Sequence, residues 1–267
     1  MNKKAILSHL PSHPWRKHLQ VFEELESTNT LLKALGREGA PEGTVIIANR
    51  QSGGRGRLGR TFFSPGGVGI YFSILLRPNC PPAQLMHLTC AVAVAVCDAV
   101  QKTCRITPQI KWINDLVLEQ KKLGGILTEL NFDAATQNVD FAVIGVGINC
   151  LHSPEDFDPS IRDMATSLQI ETGQPIDRNL LAAQMIQSMY ALSGSLHSRK
   201  DEIMARYKAQ CLTIGKEIQV IRGDEIRPAY ALDLDDTGAL LVRYQDDNSV
   251  SAVSSGEVSV RGMYGYV

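Results

Sequence analysis

Gln51–Phe63 reads QSGGRGRLGRTFF, in which Gly54, Gly56 and Gly59 alternate with Arg55, Arg57 and Arg60. Glycine lets the backbone take positive φ and approach a ligand closely. Arginine supplies a rigid fork of donors that matches carboxylate and phosphate oxygens. The preceding run, TVIIA at 44–48, has the apolar continuity of a buried strand, so the loop leaves a strand end. Together these features describe a loop built to wrap an anion. The other reading of this stretch alone is a solvated RG-rich loop or a nucleic-acid tail.

Composition weighs against that second reading. The chain has 267 residues, 27 Lys+Arg against 28 Asp+Glu and a formal net charge of −1, so the arginine cluster is local. A chain that lives on nucleic acid is more often basic overall. With 44% hydrophobic and 21% charged residues it has an ordinary globular composition. Its length suits one large domain plus one small one.

On the N-terminal side of the loop, Gln20–Leu25 alternates as a strand and ESTNT at 26–30 precedes the helical run LLKALGREG. Ser27 or Thr28 can cap that helix, and Gly36 or Gly39 can end it. The same junction either only caps a helix or also faces a small ligand. Residues 1–19, broken by Pro11 and Pro14, read as a short lead-in, a flexible tail.

On the C-terminal side, Gly69–Leu76 is a near-continuous apolar run, expected as a central strand buried on both faces. A helix apolar nearly all round follows over Ala83–Gln101, which places it in the core. QIKWINDLVL at 109–118 embeds Lys111, Asn114 and Asp115 among apolar residues. Unpaired charge is costly there, so these groups form an ion pair at a turn or bind something; a magnesium-triphosphate would satisfy both signs. Glu119–Lys122 reads as a hairpin turn, and Leu123–Leu130 as a strand that opens on Gly124 and Gly125. DFAVIGVGIN at 140–149 is the next strand, Leu151–Ala165 a mobile loop, and Asp177–Leu196 and Arg199–Gln210 two helices. From Gly215 the texture changes to short strands over Lys216–Ile221, Ile226–Leu232, Ala239–Tyr244 and Val250–Ser254. Even spacing of that kind predicts a small β-barrel. The expected division is 1–213 and 214–267.

The six cysteines make no C-x-x-C pair and read as free thiols of a reducing compartment; the histidines offer no metal site. Ala91–Cys97, the longest apolar stretch, is too short to span a membrane. No signal-peptide pattern is visible, so a cytoplasmic location without membrane contact is expected.

Four pieces stand in order: STN at 27–29, GRGRLGR at 54–60, KWINDL at 111–116, and KLGGIL at 122–127 with VGIN at 146–149. Over residues 20–267 the chain resembles the biotin–protein ligases, also called biotin–[acetyl-CoA-carboxylase] ligases. The resemblance implies an α+β fold: a mixed β-sheet with packed helices plus a small C-terminal SH3-like β-barrel. It also implies two reactions, formation of biotinyl-5′-AMP from biotin and ATP, then transfer to a lysine of a biotin carboxyl carrier protein domain. Carried onto this sequence, Ser27, Thr28, Asn29, Gln51, Arg55, Gly56, Arg57, Lys122, Gly124 and Gly125 would hold biotin. Arg57, Arg60, Phe62, Lys111, Asn114 and Asn149 would hold ATP, and Asp115 would hold Mg²⁺, with Asn114 beside it. Arg57, Lys111 and Lys122 would be catalytic.

Three positions depart from the family pattern. Ile113 stands where proline is usual, Leu58 where arginine is frequent, and Phe62 where tryptophan is common. The first family motif starts at Ser27, which implies a ligase without the DNA-binding domain of some members. Monomer and homodimer both remain open. A lipoate–protein ligase or octanoyltransferase shares the implied catalytic fold. A non-enzymatic regulator that binds a ligand or nucleic acid is the reading from another class.

Overall fold

The computed structural model describes residues 1–254 and 259–262. Seven strands form a mixed sheet: β1 (Leu19–Leu25), β2 (Val45–Gln51), β3 (Gly69–Leu76), β4 (Gln109–Lys111), β5 (Asp115–Leu118), β6 (Lys121–Phe132) and β7 (Val139–Asn149). Their spatial order is β1-β2-β3-β7-β6-β5-β4. Only the β1–β2 pair is parallel. Every residue of β3 is buried, as its unbroken apolar run requires.

Alternation along the strands divides the core into two layers. Ile47, Phe72, Ile74 and Ile144 pack with α3 (Leu88–Cys104), α5 (Arg178–Ser193) and α6 (Lys200–Gln210). Ile46, Leu75, Phe141 and Val143 pack on the opposite face with Leu32 of α2 (Thr28–Arg37). Gly36 does not end that helix. A Cβ there would stand 2.7 Å from the Phe141 ring, so this glycine lets α2 lie close to the sheet. Gly39, at φ 88°, takes the left-handed conformation after the helix.

The apolar helix begins later than its sequence implies. Pro82–Leu85 is a separate 3₁₀ turn before α3. Pro82–Cys104 has the length and mean hydropathy, 1.6, of a membrane span, but most of it is buried within the protein. α5 and α6 cover its apolar surface.

The N-terminal segment differs from the expected tail. α1 (Lys3–Ser8) buries Ile6, a 3₁₀ turn at Pro14–His18 buries Trp15, and Leu10 between them is buried as well. The proline starts the turn instead of releasing the chain. Trp15 meets Tyr190 edge-to-face at 5.1 Å and lies over Gly43, where a Cβ would clash at 2.1 Å. The segment after β7 is also tied down. Lys122 donates its N–H to Met164 O (2.7 Å), and Thr166 donates to Lys122 O (2.9 Å). A short helix, α4 (Leu168–Thr172), follows.

Beyond α6 lies a five-stranded antiparallel sheet: β8 (Glu217–Arg222), β9 (Glu225–Leu234), β10 (Leu240–Tyr244), β11 (Val250–Val253) and β12 (Ser259–Gly262). Its order is β11-β10-β9-β8-β12, and among the described residues β11 and β12 are not paired to each other. β12 has no counterpart in the sequence reading. All six cysteines are free.

Candidate active site

Neutral side chains build one end of the site. Ser27 caps α2, and Ser27, Thr28 and Asn29 are all buried at the start of the helix. Gln51 ends the neighbouring strand β2. Its Oε1 accepts the Thr28 N–H (2.8 Å) and lies 3.1 Å from the Thr28 hydroxyl oxygen, while Nε2 donates to Ser64 Oγ (3.1 Å). From β3, the fully buried Ser73 donates to Asn29 Oδ1 (2.5 Å) and lies 2.7 Å from Thr28 Oγ1. Asn29 Nδ2 donates to Leu127 O (3.3 Å) and Glu129 Oε2 (2.9 Å), and Glu129 pairs with Lys33 at 2.7 Å. Buried polar groups need partners of this kind.

Two glycines of β7 make room for these groups. A Cβ at Gly145 would stand 2.3 Å from Asn29 Oδ1, and one at Gly147 would stand 2.4 Å from the Phe62 ring. Tyr71 donates to Pro65 O (2.8 Å), and burial pushes its phenol far up from the usual tyrosine range.

The glycine–arginine loop forms the other end. It folds on itself through Gly56 N–H to Arg60 O (2.7 Å) and Phe62 N–H to Gly54 O (2.9 Å). Leu58, at φ 53°, turns it, with a largely exposed side chain. Arg57 reaches the turn between β4 and β5, where it donates to Asn114 Oδ1 (3.0 Å). Asn114 Nδ2 donates in turn to Ile126 O (2.9 Å). Lys122 Nζ meets Asp115 Oδ1 at 2.7 Å. Lys111 sits opposite Asp115 across the β4–β5 ladder and is buried. Burial brings its amine down to about 8; Asp115 opposes that shift, and Lys122, Arg261 and Arg60 add to it. Burial lowers the Arg57 guanidinium too.

The C-terminal sheet braces this turn from behind. Trp112 Nε1–H donates to Gly238 O (2.9 Å), and the Trp112 backbone N–H donates to Thr213 Oγ1 (2.9 Å). Tyr207 donates to Ile113 O (3.1 Å), and the Trp112–Ile113 peptide is cis.

The two ends open into one cavity of about 150 Å³. Of the residues singled out from the sequence, Ser27, Thr28, Asn29, Gln51, Arg55, Gly56, Arg57, Arg60, Phe62, Asn114, Asp115, Lys122 and Gly125 line it. Lys111, Gly124 and Asn149 do not. Lys111 lies behind Asp115. Gly124 faces the Gly147 carbonyl, which a Cβ would meet at 2.3 Å. Asn149 is buried and donates to Thr166 O (3.0 Å). Sequence reasoning missed Tyr71, Phe72, Gly145, Val146 and Gly147 in the lining, and Ser73 and Glu129 behind it. The glycine spacing of β7 and the lone serine in IYFSILL were the available signals. Among the described residues no group of three or more His, Cys, Asp or Glu is placed to hold a metal.

The profile of the biotin/lipoate A/B protein ligase family matches residues 21–149, and that of the biotin protein ligase C terminal domain matches 213–261. The chain is similar to the bifunctional ligase/repressor BirA of Bacillus subtilis, 32% identical over 266 residues, which cover 97% of this chain and 79% of the relative. It is also similar to the biotin–[acetyl-CoA-carboxylase] ligase of Mycobacterium tuberculosis, 33% identical over 250 residues, 91% of this chain and 89% of that one. Among solved structures it resembles the biotin protein ligase from Aquifex aeolicus in complex with biotin and ATP. That match has a TM-score of 0.76 and 28% identity, and covers 92% of this chain and 99% of the other.

Proposed function

The chain belongs to the biotin/lipoate A/B protein ligase family, and from that membership we propose that it activates biotin with ATP and transfers it to a lysine of a carrier domain of a biotin-dependent carboxylase. The carrying observation is the cavity itself. A neutral hydrogen-bonding end, Thr28, Asn29 and Gln51, opens directly onto a cationic end, Arg55, Arg57, Arg60 and Lys122. A ureido ring suits the first, because amide and hydroxyl groups offer both donors and acceptors. A carboxylate and a phosphate suit the second.

In the first step a biotin carboxylate oxygen attacks the α-phosphorus of ATP, and the bond to pyrophosphate breaks. Both reactants are anions. Two unit charges 4 Å apart repel by about 4 kcal/mol at an effective dielectric of about 20. Arg57 and Lys122, facing one cavity, offset that repulsion and fix the two groups in line. In the second step the carrier lysine amine attacks the carbonyl carbon of the mixed anhydride. AMP leaves, and the nitrogen gives up a proton. No enzyme nucleophile is required. The charged end holds the adenylate until the carrier arrives.

Asp115 and Asn114 supply one carboxylate and one amide oxygen. Mg²⁺ keeps several waters and is held by one or two carboxylates together with substrate phosphates, so this donor set fits an ion that arrives with the nucleotide. Bound there, it would neutralise triphosphate charge. Arg60 adds positive charge within the cavity, and Lys111 adds it from behind Asp115.

Biotin-dependent exchange of labelled pyrophosphate into ATP tests this reading. Exchange with biotin and none with lipoate is the expected result. Exchange with lipoate alone would reassign the substrate, and none with either would overturn the proposal.

A further inference from the structure

Glu129 does not line the cavity, yet its carboxylate determines how one lining residue faces it. Asn29 has two N–H donors and one oxygen with two lone pairs. Nδ2 gives its hydrogens to Leu127 O and Glu129 Oε2, and Oδ1 takes the Ser73 hydroxyl. That leaves a single acceptor position on Oδ1 and no donor. The oxygen rests on Gly145, where a Cβ would stand 2.3 Å away, and both residues line the cavity. A flip of the amide keeps its shape and exchanges donor for acceptor, so only its partners fix its orientation.

We propose that Glu129, anchored by Lys33, is a positioning residue that locks Asn29 with its oxygen toward the ligand, so that this end of the pocket selects a ring edge bearing N–H groups. This assignment rests on the reading of the pocket as biotin's, and it concerns the choice between biotin and family substrates without such an edge. A carboxylate accepts only, so it can face Nδ2 and never Oδ1. Burial works to raise the Glu129 carboxyl, but hydrogen bonds from Lys33 and Asn29 hold it below the usual range, which keeps it an acceptor. Arg55 adds its field in the same direction. A ring without N–H, such as a dithiolane, would leave the Asn29 oxygen buried and short of a donor. Sites built to hydrogen-bond a substrate reject analogues that lack the group far more strongly than apolar pockets discriminate by size.

Glu129→Gln tests the lock because it preserves shape while letting either amide turn. In the biotin-dependent pyrophosphate exchange of the full chain, the KM for biotin should rise roughly tenfold, the scale of one hydrogen bond to a charged group. Desthiobiotin, which keeps the ureido edge and lacks the sulfur, should suffer the same rise. The KM for ATP and the melting temperature should not move. Lys33→Met, on a side chain 26% exposed, should shift the biotin KM the same way by less. A biotin KM within about twofold of the parent in both variants overturns the assignment, as does a parallel rise in the ATP KM. Parent protein without any biotin-dependent exchange would remove the functional reading itself, and the assignment with it.

Discussion

The two ends of the cavity are built on different physics. At the neutral end, four side chains from α2, β2 and β3 are bonded to one another, with Thr28, Asn29 and Ser73 buried and Gln51 half-buried. None of the four carries a charge, so this end acts through geometry. At the other end, Arg57 and Lys122 stand on a loop and a strand start and are held by Asn114 and Asp115. Their partners sit on a turn braced by Trp112 against the C-terminal sheet. That end acts through its field, and its strength depends on keeping charge in half-buried surroundings. Damage at one end should therefore leave the other intact.

The largest test of that separation is Asp115→Ala. It removes the one acidic group of the turn and strips Lys122 of its 2.7 Å partner. Exchange activity should fall roughly a hundredfold or more, the scale of lost charge stabilisation at a metal-assisted phosphoryl centre. Biotin binding by calorimetry should change little. A variant that loses biotin binding as badly as ATP use would make the turn structural and collapse the distinction between the ends.

Arg57→Gly comes next. Arg57 staples the loop to the turn through Asn114, and on the proposed reading it would clamp the adenylate phosphate. A hydrogen bond to a charged group contributes about 1.5–3 kcal/mol, or roughly tenfold to a hundredfold in dissociation rate. The variant should still make adenylate, release it faster, and label bystander proteins such as albumin where the parent labels its carrier alone. Adenylate synthesis with undiminished selectivity would place the clamp elsewhere.

Ser73→Ala probes the neutral end. It leaves Asn29 Oδ1 without its 2.5 Å donor, and a neutral hydrogen bond of about 1 kcal/mol corresponds to roughly fivefold in affinity. Biotin affinity should fall by that factor while the ATP KM stays fixed. A shift in both would mean that the network transmits across the cavity.

The charged end was legible in the sequence because charge inside apolar runs is locally anomalous. Lys111, Asn114 and Asp115 announce themselves in QIKWINDLVL, and alternating glycine and arginine do so in GRGRLGR. The neutral end was legible only at Ser27–Asn29 and Gln51. Its remainder depends on contacts between residues far apart in the chain. Ser73 reaches Asn29 across 44 residues and Glu129 reaches it across 100, separations that no local pattern records. Strand placement followed from apolar continuity, and Gly69–Leu76 matches its prediction residue for residue. Short and proline-rich segments were misread, because whether Trp15 is buried depends on Gly43 and Tyr190 elsewhere in the chain.

The smallest expected effect separates the ends by pH. Burial lowers the Lys111 amine to about 8, with the nearby cations Lys122, Arg261 and Arg60 adding to the shift and Asp115 opposing it. In the unfolded chain a lysine stays charged up to about 10.4. Between those values the unfolded state binds more protons than the folded one, so stability gains from this residue as pH rises through that window. Function should move the other way. Above about pH 8 the positive charge behind Asp115 is lost, so on the proposed reading kcat/KM for ATP, which reports the free enzyme, should fall. From pH 7 to pH 8 the charged fraction drops from about nine-tenths to half, which predicts a roughly twofold loss. The same ratio for biotin should stay flat, since Thr28, Asn29, Gln51 and Ser73 carry no charge. In Lys111→Met the ATP profile should lose this step. A biotin profile that bends together with the ATP one, or an ATP step that survives in Lys111→Met, would show that charge at one end is felt at the other.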